Sequence, residues 1–269
     1  MTQITAKSVA ASISPDGLEI HTLELQYPRF IHSEFMTHRV FSRNAASSRA
    51  IPVAKMIEQV RNDPAMPIHW GKNQPGMQAH EQLADTVEVQ QQWRNAARDA
   101  ANRAEQMSAL GLHKQVVNRI LEPFQLMRTL VTSTEWDNFF ALRDHPDAQP
   151  EIQALATAMR DAITGADTKS LEYGEWHLPY VRPDERELFR DATLLKLSTA
   201  RCARVSYLTH DGQKPDVQKD LELYERLVGS QPIHASPAEH QAQATKEFDV
   251  SSGNFIGWIQ HRQLIEVAV

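Results

Sequence analysis

Residues 79–109 constrain the fold most. Val89, Trp93, Ala96, Ala97, Ala100, Ala104 and Met107 fall on one stripe at helical spacing, with Arg, Asp, Gln and Glu elsewhere. A helix with one apolar face must bury that face against another layer. Gly111 reads as its C-terminal stop.

The flanking segments supply that layer. Leu23, Leu25 and Tyr27 alternate with Glu24 and Gln26, so residues 18–27 read as a half-buried strand ended by Pro28. Arg29 to Arg39 reads as the start of a helix, with Glu34 and His38 on one face at i, i+4 spacing. Residues 63–78 are rich in turn residues. Further helices are expected over 113–121, stopping before Pro123, after Pro150, over 193–208 and over 217–229. Residues 165–192 lack helical period. The tail from Asn254 carries apolar residues suited to an edge strand or a subunit contact. With no repeat and no linker, residues 1–269 read as one α/β domain with long helices.

Composition narrows the classes. No apolar run approaches a membrane span, and the polar N-terminus is unlike a secretory signal, so a cytoplasmic protein is expected. Cys202 is the only cysteine, which excludes an internal disulfide framework. A net charge of -6 without a long basic stripe argues against nucleic-acid binding. The histidines show no ligand spacing, so no metal is assigned.

One segment departs from that acidity. No acidic residue occurs from Phe35 to Ile57, whereas Arg39, Arg43 and Arg49 lie close together among Ser42, Asn44, Ser47 and Ser48. Guanidinium forks beside hydroxyls suit a phosphate-bearing ligand. A solvated basic face is the alternative.

Thr37-His38-Arg39, seven residues, then Ser47-Ser48-Arg49 resembles the signature of the flavin-dependent thymidylate synthases, Arg-His-Arg, seven residues, Ser-x-Arg. Arg119-Ile-Leu-Glu-Pro123, Asn138-Phe-Phe-Ala-Leu-Arg143 with Ala148-Gln-Pro-Glu-Ile152, Ala203-Arg-Val-Ser-Tyr207 and Ser236-Pro-Ala-Glu-His240 are similar to further segments of that family. The last two come first in the family, so the resemblance implies a circularly permuted chain. It covers roughly residues 20–160 and 193–241.

The resemblance implies FAD as cofactor, NADPH as reductant, methylenetetrahydrofolate as one-carbon donor and a pyrimidine deoxynucleotide monophosphate, dUMP in the family, as substrate. It also implies a homotetramer. Ser47, Ser48, Arg49, Arg119 and Arg143 match nucleotide-binding positions; an ion pair of Arg143 with Asp144 or Asp147 is the structural alternative. His38, Arg39, Asn138, Ser206, Ser236 and Glu239 match flavin contacts. His234 matches a histidine beside the flavin ring and, with Arg143 and Glu34, makes up the expected catalytic set. A non-flavin thymidylate synthase would need a cysteine nucleophile; Cys202 reads instead as a packed small hydrophobe.

Four positions depart from the family at the substrate. Thr37 stands for Arg, Ala45 for Glu, Glu34 for Gln and Asp147 for His. An ionised Glu only accepts hydrogen bonds, whereas Gln also donates. Three outcomes follow: methylation of dUMP, the simplest; hydroxymethylation of dUMP or dCMP, which would fit a virus that makes modified pyrimidines; or a silent flavin- or nucleotide-binding relative.

Overall fold

The computed structural model describes residues 3–205, 216–229, 233–247 and 250–267. Among the described residues the strands are β1 (Thr5–Ile13), β2 (Glu19–Pro28), β3 (Ser42–Ala45), β4 (Leu126–Ser133), β5 (Lys169–Ser170), β6 (Trp176–His177), β7 (Ala242–Ala244), β8 (Ser251–Ser252), β9 (Phe255–Ile256) and β10 (Trp258–Gln260). The helices are α1 (His32–Phe35), α2 (Val53–Asn62), α3 (Val87–Ala109), α4 (Lys114–Val117), α5 (Asp137–Arg143), α6 (Pro150–Thr164), α7 (Pro183–Leu188), α8 (Asp191–Val205), α9 (Val217–Val228) and α10 (His261–Val267), with 3-10 turns at Arg29–Ile31, Asn118–Phe124 and Ser236–Glu239.

The main sheet has the order β3-β4-β2-β1-β5; its long neighbours pair antiparallel and β5 joins β1 in parallel. Strand alternation sends Leu23, Leu25, Tyr27 and Val131 to one face, where Ile152, Leu155, Ala156 and Met159 of α6 close the core. The opposite face carries Leu130 against Cys202 and Val205 of α8. The sheet therefore lies between α6 and α8, an α/β arrangement as the sequence implied.

The long helix buries Ala97 and Ala104 of its stripe against α2 and the 118–124 turn; the buried face is rotated toward Ala101, which the stripe omitted, and leaves Ala96 exposed. Its start is later than expected. Residues 79–86 are captured by the preceding loop: Lys72 N–H donates to Glu81 O, and Leu83 N–H to Trp70 O. Asp85 Oδ1 then accepts Val87 N–H at 2.9 Å and opens the helix. Gly111, at φ 84°, supplies the left-handed stop.

Two other boundaries differ. The 113–121 helix shortens to α4 and continues as a 3-10 turn through Pro123. The helix expected from Arg29 ends at Phe35, so Glu34 and His38 do not share a helical face. The tail forms an edge strand: β10 pairs with β7, and Phe255 and Trp258 are fully buried.

Candidate functional site

The segment 36–41 is irregular, yet it is held at several points. Arg43, on β3, donates from Nη1 to the carbonyls of Met36 (2.9 Å) and His38 (3.0 Å). Burial pulls the Arg43 pKa down and the nearby Glu239 carboxylate opposes it, which places the 236–239 turn beside this loop. Phe35, Phe41 and Phe139 form the aromatic floor, and the His38 ring meets Phe139 edge-on with centroids 4.9 Å apart.

Arg143, the last residue of α5, reaches across this floor. Nε donates to His38 Nε2 at 3.0 Å, Nη1 to Glu34 Oε2 at 3.3 Å and Nη2 to Thr37 Oγ1 at 3.4 Å. Thr37 Oγ1 in turn donates to Glu34 O at 2.7 Å. A ring nitrogen that accepts from a guanidinium carries no proton, so the other nitrogen of His38 bears the hydrogen. Burial, then the charges of Arg143 and Arg43, hold the His38 pKa below its ordinary value. The alternative pairing of Arg143 with Asp144 or Asp147 is not formed; Asp144 accepts from Thr157 Oγ1 at 2.9 Å and pairs with Arg160.

A second group forms beyond β3. Ser47 O accepts the backbone N–H of Ala50 and Ile51, making a turn that leads into α2. Asn118 Nδ2 fixes this turn through the carbonyls of Ser48 (2.6 Å) and Ile51 (3.0 Å). Glu122 Oε1 gathers Arg29 (3.0 Å), Arg119 (2.8 Å) and the Ser48 hydroxyl (3.3 Å). Arg49 is exposed and, among the described residues, no ion pair holds it.

Sequence reasoning read Arg43 as part of a phosphate-suited cluster, whereas it holds the 36–38 loop, and it missed Glu122; the partners of both lie outside any periodic pattern. The structure thus brings Glu34, Thr37, His38 and Arg143 together, and joins Ser48 to Arg119 through Glu122. Arg39, Asn138, His234 and Ser236 are exposed and, among the described residues, no hydrogen bond links their side chains to either group. Asn138 and Val40 line a cavity of about 520 Å³ floored by Trp136 and Phe140. Glu239 is committed to Arg262. Ser206 lies outside the described residues.

Two C-terminal segments pack on the same edge of the sheet. Asn44 Nδ2 donates to Cys202 O at 2.6 Å, and Gln260 Nε2 bridges Ser42 Oγ (3.1 Å) and Glu239 O (3.3 Å).

No curated protein matches the chain. Two solved structures of a UMP/dUMP methylase, PolB from Streptomyces cacaoi, are similar to it. The one bound with 5-Br dUMP has 18% identity and a TM-score of 0.48, and the match covers 60% of this chain and 90% of that one. The one bound with 5-Br UMP has 17% identity and a TM-score of 0.45, covering 60% and 89%. The family model Thy1, thymidylate synthase complementing protein, matches residues 19–166, more than half of the chain and the whole of the Glu34–Arg143 site. This chain belongs to the Thy1 family.

Proposed function

We propose that this protein transfers a one-carbon unit to C5 of a pyrimidine deoxynucleotide monophosphate, with FAD, methylenetetrahydrofolate and NADPH. The reading rests on one observation: inside the family-matched span, Arg143 converges on His38, Glu34 and Thr37 at a partly exposed site.

Arg39, Asn138 and Ser236 would hold FAD. Two features support this: the Arg39 guanidinium is exposed for an anionic group, and Asn138 borders a cavity of about 520 Å³ lined by Trp136 and Phe140 together with Glu19, Glu135 and Asp137. That volume falls within the ~300–1,000 Å³ usual for ligand sites. Bound there, FAD would supply the redox chemistry of the transfer.

The chain's own residues orient and polarise. Ser47, the 47–51 turn and Arg49 would take the 5′-phosphate, and Arg119 would join them in competition with its bond to Glu122. The Arg143 guanidinium would face a base carbonyl or ring nitrogen, fixed in place by neutral His38. His234, exposed beside the 236–239 turn, would border the flavin ring. Cys202 has no role as a nucleophile, since it is fully buried and burial pushes its thiol pKa far up. The packing of the 236–239 turn and α8 on β3 supports the permuted reading, in which one domain spans the whole chain.

Reaching a methyl group consumes two electrons from NADPH, whereas a hydroxymethyl group needs water instead. Purified protein is expected to bind FAD, with an absorbance band near roughly 450 nm. Mass spectrometry should detect a 5-alkylated nucleotide, and its dependence on NADPH separates the two products. Protein that takes up no FAD would overturn the flavin reading. A flavoprotein that alkylates neither dUMP nor dCMP would overturn the substrate reading.

A further inference from the structure

We infer that Glu34 makes this site selective for an aminopyrimidine, cytosine, over uracil, with Arg143 reading the rest of the base edge. The inference rests on the reading of the Arg143 site as a pyrimidine site and names the base it takes.

The argument is one of donors and acceptors in order. Arg143 has five N–H bonds, of which three are spent on His38, Glu34 and Thr37, leaving one free on each Nη. Glu34 is bonded through Oε2 alone among the described residues, and Oε1 keeps its lone pairs. The side chains of Arg143 and Glu34 are 23% and 33% exposed, so a ligand can reach these unspent groups. Thr37 is exposed at the Nη2 side. The site therefore presents an acceptor at Glu34, then two donors at Arg143, then a hydroxyl.

Cytosine offers the complement. Its edge runs N4–H donor, N3 acceptor, O2 acceptor, and these meet Glu34, Nη1–H and Nη2–H in turn. Uracil runs acceptor, donor, acceptor, a pattern unchanged when the base is turned over. In the same register its carbonyl faces the carboxylate and its N3–H faces a guanidinium N–H. Sliding one position pairs N3–H with Glu34 and one carbonyl with Arg143. The other carbonyl then lies beyond Glu34 without a donor, and one Arg143 N–H is left without an acceptor. Either way uracil loses at least one hydrogen bond to a charged group. A glutamine at position 34 would remove the discrimination, because its Nε2 donates to O4 while its Oε1 accepts N3–H.

Titration calorimetry of the full chain, with FAD added, measures the test with dCMP and dUMP. Wild-type protein is expected to bind dCMP about 10-fold more tightly or better, the scale of one mismatched base-edge pair. In Glu34→Gln the ratio should move toward dUMP by a similar factor. Thr37→Ala, which leaves the Glu34–Arg143 pair intact, should keep the dCMP preference. Equal or tighter binding of dUMP by the wild type would overturn this proposal alone, as would a ratio untouched in Glu34→Gln. Binding of neither nucleotide would overturn the pyrimidine reading and this proposal with it.

Discussion

Acidification should unfold this protein through three buried histidines. The His177 ring bridges Ser12 Oγ (2.9 Å) and Thr22 Oγ1 (2.8 Å); Thr22 bonds Thr132 (2.7 Å), and Thr132 bonds His240 Nδ1 (2.8 Å). His261 lies nearby in sequence order to β10, its Nδ1 3.5 Å from Thr199. All three rings are buried, their hydrogen-bond partners among the described residues are hydroxyls, and no carboxylate there is paired with them. Burial lowers the pKa of His177 to about 3, with the charges of His21, Arg186 and His240 adding to it. Burial alone lowers His240 to about 3 and His261 to about 4.

The unfolded chain protonates these rings near their ordinary value of about 6.5. Below that pH the unfolded state binds protons the folded state refuses, so stability present at neutral pH is lost as the pH falls toward the folded values. At pH 5 each ring costs about 2 kcal/mol and the three about 6 kcal/mol. A typical native state has only ~5–15 kcal/mol in hand.

Urea unfolding followed by circular dichroism at pH 7.5, 6.5, 5.5 and 5.0 measures the loss. The three rings contribute ~4 kcal/mol per pH unit to the slope below pH 6, and His32, whose pKa burial and the charges of Arg29 and Arg43 lower to about 4, adds to it. His177→Gln keeps a polar partner for Ser12 and Thr22, and should remove one proton's worth of the slope, about 1.4 kcal/mol per pH unit, whatever it does to stability at pH 7.5. A loss under about 2 kcal/mol between pH 7.5 and 5.0, one histidine's worth, would refute the reasoning.

Two further outcomes are expected. Arg201 is 1% exposed and donates to both Glu185 oxygens (2.6 and 2.7 Å) and to Asp220 (2.8 Å), tying α7 and α9 to α8. Arg201→Met leaves two buried carboxylates short of a cation and should cost about 3–5 kcal/mol, a drop of about 10 °C in Tm by calorimetry; an unchanged Tm would contradict it. Cys202→Ala should retain activity in the alkylation assay within a few-fold, since the thiol is a buried neutral group; complete loss with the fold intact would restore a cysteine nucleophile.

What the sequence made legible is what one segment decides for itself. The α3 stripe, the alternation of β2 and the apolar side of α6 each declare a buried face; those of β2 and α6 are buried as read, and that of α3 is buried at Ala97 and Ala104 but exposed at Ala96. The Ser47-Ser48-Arg49 turn and the convergence of Arg143 were reachable only through motifs, since no spacing links residue 34 to residue 143. Glu34 and His38 show why. Helical spacing put them on one face, but Arg43 pulls the carbonyls of Met36 and His38 out of any helix, so α1 ends at Phe35. The two side chains meet all the same, through a guanidinium from another element. The residue pair was right and the geometry wrong, because a polar site is built from remote donors and acceptors that satisfy one another. That satisfaction also gives Glu34 its meaning. As an isolated Gln-to-Glu exchange it adds one negative charge; held against Arg143 it becomes the acceptor end of an ordered edge, which a base must complement atom by atom.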